Sequence, residues 1–263
     1  MSVTWHLQDG IYELELGMAP CNEIGTVMLD RLEAFLDDID PEQAHALIIH
    51  STSAKGFCAG ADLKELYSGI VSRPEAEHVP AVRAFLDRIH SVMDRLDMLP
   101  LTTIACISRV CFGGGLELAL TADIRVAERN ARFAFPELRL GIIPGFGGIP
   151  RLKRDVGNAM VRDLLMTGRS IRATRAMEVG LVQQVVSNGE ALGIARLMAK
   201  QVTLFDRDAR VTAKQFIKGL PQAELDQEKE HFIRLFQGPA VRRALKKFVE
   251  ATEAGEVRPY LPS

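Results

Sequence analysis

An α/β fold is what this 263-residue sequence predicts, on three observations. Short apolar or alternating runs of strand type are interleaved with stretches of helical periodicity from residue 11 to residue 186. That alternation is the mark of a sheet covered by helices. From Asp206 onward the strand pattern stops, and only helical segments rich in Lys, Arg and Glu follow. We therefore divide the chain into a core, 1–205, and a helical C-terminal region, 206–263.

The elements follow in order. Residues 11–16, Ile-Tyr-Glu-Leu-Glu-Leu, alternate and open the fold as a strand after an Asp9-Gly10 turn. Residues 28–38 carry Leu29, Leu32 and Leu36 at helical spacing, and 46–50 form a short apolar strand. A loop rich in Ser, Gly and Ala spans 51–60, a short helix 63–69 and a proline-punctuated, mobile loop 71–80. Residues 81–99 read as a long amphipathic helix, 102–107 as a buried strand and 114–122 as a helix. Strands are expected at 123–127, 133–136 and 181–186, with helices at 150–166, 173–179 and 189–204.

Composition narrows the function classes. Hydrophobic residues are 47% and charged residues 25%, as in ordinary soluble domains. A formal net charge of -2 argues against nucleic acid or an acidic membrane surface as partner. Cys21, Cys58, Cys106 and Cys111 form no CxxC pair and have no histidine at metal-ligand spacing, so free thiols and no metal are expected. The N-terminus has no signal-peptide pattern, and no apolar run approaches the ~20 residues of a membrane span. The expectation is a cytoplasmic protein. Dinucleotide, phosphate-loop, GxSxG and HExxH signatures are all absent.

The run from 108 to 118, Ser-Arg-Val-Cys-Phe-Gly-Gly-Gly-Leu-Glu-Leu, is the chemically informative one. Gly113, Gly114 and Gly115 sit between an apolar strand and an apolar helix. Glycine lets backbone approach closely, and a helix start leaves N–H groups free at the positive end of the dipole. Such a feature can hold an oxyanion. Glu117, three residues after Gly114, lies about one turn along the same face, so a carboxylate stands beside that backbone. Taken alone it would be a first-turn acid complementing the helix dipole, and Glu137 would be a solvent-facing residue after Pro136.

Four segments together resemble the crotonase superfamily, also called the enoyl-CoA hydratase/isomerase family. They are 53–66 (Ser-Ala-Lys-Gly-Phe-Cys-Ala-Gly-Ala-Asp-Leu-Lys-Glu-Leu), 111–119 with Ala122-Asp123-Ile124-Arg125, 133–141 (Phe-Ala-Phe-Pro-Glu-Leu-Arg-Leu-Gly), and 143–148 followed by Pro150-Arg151-Leu152. Their order and spacing agree with the family, and the likeness extends through 167–182. The resemblance implies a spiral of ββα units with a helical C-terminal region used for a homotrimer or dimer of trimers. It implies acyl-CoA thioester substrates, with coenzyme A part of the substrate and no separate cofactor. It implies an oxyanion hole from the N–H groups of Ala61 and Gly114, and Glu117 and Glu137 as the acid/base pair of the hydratase type.

On that reading the reaction is reversible syn hydration of a trans-2-enoyl-CoA. The same resemblance places Ala61, Asp62, Leu63, Lys64, Gly114 and Gly145 around the substrate. Lys55 and Lys64 either meet its phosphates or, as the simpler reading, are solvated lysines. Lys246, Lys247 and Phe248 would reach a neighbouring subunit's substrate, or simply form an amphipathic helix surface. Two other readings stay open: a Δ3,Δ2-enoyl-CoA isomerase or other specialised crotonase working through Glu137, and a non-enzymatic binding protein. Ser108-Arg109 stands where the family usually has Asn-Gly, and Ile149-Pro150 where Thr-Gln is usual. Phe112 and Phe146 are bulky for their places. These departures bear on the substrate.

Overall fold

The computed structural model describes residues 2–255; the last eight residues of the C-terminal region, 256–263, lie outside it. Strands β1 (Val3–Gln8) and β2 (Ile11–Leu16) form an antiparallel hairpin through Asp9-Gly10. Helix α1 (Thr26–Asp38) leads to β3 (Ala46–Ser51) and β4 (Gly56–Cys58). Helices α2 (Leu63–Ser72) and α3 (Glu75–Asp97) follow, then β5 (Thr102–Ile107), β6 (Val110–Phe112) and the short α4 (Gly114–Ala119). The next turn has β7 (Ile124–Glu128), β8 (Arg132–Ala134), a 3-10 turn at Glu137–Leu140, α5 (Gly148–Val156) and α6 (Asn158–Thr167). Then come β9 (Ile171–Arg172), α7 (Ala173–Glu178), β10 (Gln184–Val186) and α8 (Ala191–Val202). Helices α9 (Arg207–Ile217), α10 (Gln222–Phe236) and α11 (Pro239–Glu253) complete it.

The strands form two sheets, ordered β1-β2-β3-β5-β7-β10 and β4-β6-β8-β9. Three successive steps, β3–β4, β5–β6 and β7–β8, each place one strand in the first sheet and the next in the second, then return through helix. The ββα spiral is therefore observed. Pairing is parallel except at the two edges, β1 with β2 and β8 with β9.

Alternation explains how one sheet serves two cores. On β3, Ala46 and Ile48 face α8, while Leu47 and Ile49 enter the main core; on β5, Ile104 and Cys106 face α8, and Ala105 and Ile107 the main core. Ala191, Ala195 and Ala199, four residues apart, let α8 lie close on the sheet. Beyond residue 205 the chain packs back. Phe232, Ile233, Phe236, Val241 and Leu245 join the same core as α1 and α3, and α11 lies across α2 and the 137–140 turn.

The structure corrects several expectations. Residues 71–80 are not a loop: α2 runs to Ser72 and α3 begins at Glu75, with Pro80 accommodated inside its second turn. Pro80 removes a single intrahelical bond there, and the apolar stripe from Val82 to Leu96 secures the rest of the helix. Four strands went unread. In β1 only Val3 is buried, so no alternation shows; β4, β6 and β9 are only two or three residues long. The helix expected over 150–166 breaks at Gly157, whose φ of +78° ends α5. Arg109 sits at φ +50°, in the left-handed region that suits the glycine usual there.

Candidate active site

Strands β4, β6 and β8 lie side by side and parallel, so their C-terminal ends open on one edge. Each end delivers part of the site. After β4 come Ala61, Asp62 and Leu63; after β6 come Gly114 and Glu117; after β8 comes Glu137.

Ala61 and Gly114 meet across β4 and β6. Ile24 takes the groups flanking Ala61: its N–H donates to Gly60 O at 2.8 Å, and its carbonyl accepts from Asp62 N at 3.0 Å. The N–H of Ala61 is therefore turned the other way, as the alternation of an extended strand requires. A Cβ built on Gly114 would lie 3.4 Å from Ala61 N, which places the two N–H groups next to each other. Gly114 begins α4, where N–H groups have no intrahelical partner. Gly113 before it has φ +51°, and a side chain there would stand 2.5 Å from the Glu137 carboxylate; only glycine satisfies both conditions.

Two buried carboxyls stand beside this pair. Glu117 Oε1 accepts from Phe146 N at 2.7 Å and Gly148 N at 2.9 Å, which leaves Oε2 for the cavity. Burial raises its carboxyl to about 7, against the pull of those N–H groups and of Arg151. Glu137 is also buried, and its Oε2 has no hydrogen-bond partner. Burial first, then the charges of Glu117 and Glu228, push it well above the usual carboxylate range. Burial and mutual repulsion therefore both oppose the two carboxyls being ionised at once. Cys58 and Cys111 lie buried on β4 and β6, and burial pushes their thiols up, so neither is a ready nucleophile.

The 145–149 segment closes the far side. Its residues lead into α5, whose first N–H groups need outside acceptors. Arg151 is fully buried and donates to the carbonyls of Phe146 and Gly147, both at 3.3 Å; its other nitrogens reach Asp97 at 2.7 Å and Asp94 at 2.5 Å. His90 Nε2 donates to the Gly145 carbonyl at 2.8 Å, since a carbonyl can only accept.

Ala61, Gly114, Glu117, Glu137 and Gly145 border a cavity of about 500 Å³ that also takes in Leu66, Ile70, Phe85, Phe146, Phe232 and Phe236. Phe85 and Phe146 pack with ring centroids 5.9 Å apart. Of the residues expected at the site, Ala61, Asp62, Leu63, Gly114, Glu117, Glu137 and Gly145 all line this cavity. Asp62 has a structural task as well: its side chain caps α2, accepting from Lys64 N at 3.1 Å and Glu65 N at 3.0 Å. Lys64 and Lys55 point to solvent, and Lys64 does not border the cavity. Lys246 and Lys247 are exposed on α11, Lys246 within 3.7 Å of Glu250, and Phe248 is half-buried.

Sequence reasoning missed Glu228, His90, Arg151 and Phe232. Two signals were available: Arg151 stands in the fourth matched segment, and Glu228 is an acid inside the apolar stripe of α10. Among the described residues no cluster of three or more His, Cys, Asp or Glu is arranged to hold a metal ion, and no helix is long and apolar enough to cross a membrane.

Comparison with known proteins agrees with this geometry. Residues 6–255 match the family described as enoyl-CoA hydratase/isomerase. The short-chain-enoyl-CoA hydratase of Clostridium acetobutylicum is 32% identical over 234 residues, 87% of each chain. Among solved structures, the enoyl-CoA hydratase of Bacillus anthracis superposes with a TM-score of 0.75 at 27% identity, covering 100% of both chains. DspI of Pseudomonas aeruginosa gives 0.74 at 30% identity, covering 95% of this chain and 94% of that one. With a strand-end site of this construction and a match over nearly its whole length, the chain is an enzyme of the enoyl-CoA hydratase/isomerase family, within the crotonase superfamily.

Proposed function

We propose that the protein hydrates a trans-2-enoyl-CoA, reversibly, to the 3-hydroxyacyl-CoA. The observation that carries this reading is the pairing of two buried carboxyls on one cavity beside two adjacent N–H groups. A thioester oxygen between Ala61 N–H and Gly114 N–H draws electron density from C3 and is held as the enolate oxyanion forms. A water held between Glu117 and Glu137 loses a proton to Glu117 as its oxygen bonds to C3. Glu137 gives its proton to C2. Both groups stand on one face of the bound double bond, so addition is syn. Acid and base return to their starting states by exchanging the proton after product leaves. Coenzyme A enters as part of the substrate, and no step as written needs a resident cofactor.

We place contacts between copies of the chain, a homotrimer or dimer of trimers, on α9 and the turn before it. Leu204, Phe205, Phe216 and Ile217 are exposed there, Phe216 by 90% and Ile217 by 77%. Apolar side chains that open to water are the mark of a covered surface. The same helix is pinned to the core through Lys214 and Lys218, which meet Asp123 at 2.9 and 2.7 Å.

The test is the ultraviolet absorbance of crotonyl-CoA with purified protein. Loss of the conjugated enoyl band, abolished in Glu137→Gln, is the expected result. No loss, with conversion of a 3-enoyl-CoA into the 2-enoyl isomer instead, would replace hydration by isomerisation.

A further inference from the structure

We infer that Glu228, carried on α10, is the positioning residue for Glu117: the two carboxylates divide between them the free N–H groups at the start of α5 and so fix each other's place. Phe146 N and Gly148 N donate to Glu117 Oε1, at 2.7 and 2.9 Å. The residues between and after them donate to Glu228, Gly147 N to Oε1 at 2.7 Å and Ile149 N to Oε2 at 2.8 Å. Four consecutive N–H groups thus alternate between one acid from α4 and one from α10. The accounting closes at Pro150, which has no N–H to offer, and from Arg151 on the helix supplies its own acceptors. Gly147, at φ +93°, makes the alternation possible by turning its N–H opposite to its neighbours'.

Both carboxylate oxygens of Glu228 are used and the side chain is buried. Its surroundings are charged on every side. Glu117 faces it from α4 and Glu137 from the 3-10 turn, and Arg151 faces it from α5. From α3 come His90 and Asp94, with Asp87 paired to Lys229 at 2.8 Å; Lys153 of α5 pairs with Glu224 at 2.9 Å. Burial and the charge of Glu117 push the Glu228 carboxyl up, while the N–H groups of Gly147 and Ile149 and the Arg151 guanidinium pull it back; with an N–H bond accepted on each oxygen, the geometry is that of the carboxylate. A carboxylate placed there helps to keep Glu117 and Glu137 from ionising together. The C-terminal helices therefore act on the chemistry as well as on packing: without α10 the segment that holds Glu117 loses the acceptors of two of its four N–H groups.

The kinetic arm of this inference rests on the hydratase reading, so its test has a second readout that needs no turnover. Glu228→Gln keeps size and an accepting oxygen but removes the charge; Glu228→Ala removes both. In crotonyl-CoA hydration, Glu228→Gln is expected to lower kcat about tenfold, as for loss of a charge-assisted hydrogen bond, with KM nearly unchanged. The acid limb of its kcat profile should move to lower pH. Glu228→Ala should cost more in kcat, the Gln variant being the partial rescue. Independently, the infrared carboxyl band of Glu117, identified by its absence in Glu117→Gln, should titrate at lower pH in Glu228→Gln than in the parent protein. A folded Glu228→Gln with unchanged kcat and an unmoved carboxyl titration would overturn the inference. So would a loss of kcat that tracks melting temperature while the titration stays fixed. If the parent protein hydrates nothing, the function reading fails while the titration still decides this one.

Discussion

Replacing Glu117 by Gln should abolish hydration and stabilise the fold, and one cause lies behind both. The side chain is buried, and burial lifts its carboxyl from 4.5 to about 7. Below about pH 4.5 the group is protonated whether the chain is folded or not, so it contributes nothing to stability at that end. Between pH 4.5 and 7 the unfolded chain releases the proton and the folded one retains it, which penalises folding progressively. Above pH 7 the penalty is constant, at roughly 3 kcal/mol for a shift of this size. Glutamine has nearly the same shape, keeps an oxygen for the N–H groups of Phe146 and Gly148, and never ionises. The variant should match the parent protein near pH 4 and exceed its stability by about 3 kcal/mol at pH 8. Urea unfolding followed by the fluorescence of Trp5, the single tryptophan, at several pH values and one protein concentration, measures this directly. Loss of the general base should lower kcat roughly 10²- to 10⁴-fold in the same preparation. A stability gap that does not change with pH, or a parent protein more stable than the variant at pH 8, would refute the reasoning.

Three further outcomes are expected. Gly114→Ala would place a methyl 2.8 Å from the Phe146 ring and crowd the N–H beside Ala61; kcat/KM for crotonyl-CoA should fall about 10²- to 10³-fold at unchanged fold, as when one oxyanion donor is lost. Asp97→Asn should destabilise by roughly 3–5 kcal/mol in chemical denaturation, because it leaves buried Arg151 and Lys218 short of a counter-charge. Burial alone would raise Asp97, but Lys218, Arg151 and Arg154 outweigh it and hold the carboxyl low. Its contribution is therefore present above about pH 4 and lost as pH falls further, and the gap between Asp97→Asn and the parent protein should narrow in that direction. Phe216→Asp together with Ile217→Asp should drive the assembly toward single chains in sedimentation velocity; an unchanged sedimentation coefficient would remove α9 from the contact.

What the sequence disclosed about the fold was what local periodicity can encode. Residues 46–49 and 104–107 are apolar throughout because both faces of the sheet are covered, so their segments stand out as strands. The second sheet, which builds the site, stood out only at β8, expected over 133–136. Strands β4 and β6 are three residues each, too short for any period. Residues 71–80 read as a loop because Pro80 and Pro74 dominate the local signal. Packing of α3 against α1 and α10 outweighs it.

The site divides along the same line. Ala61, Gly114, Glu117 and Glu137 each lie within seven residues of the strand that delivers them, so a short motif contains both the residue and the geometry. Glu228 has no such neighbourhood. It comes 80 residues after Gly148, on a helix whose buried positions are Leu225, Glu228, Phe232, Ile233 and Phe236. At that spacing Glu228 stands where the stripe calls for an apolar side chain, and a buried acid must find partners or lose its charge. The partners exist only because α5 begins with two glycines and a proline, 80 residues away, and presents N–H groups that nothing else in the helix can satisfy. An acid in an apolar stripe and a helix start without a side-chain cap are each unremarkable alone. Each supplies what the other lacks, so the pair is visible as a pair only once the chain has folded.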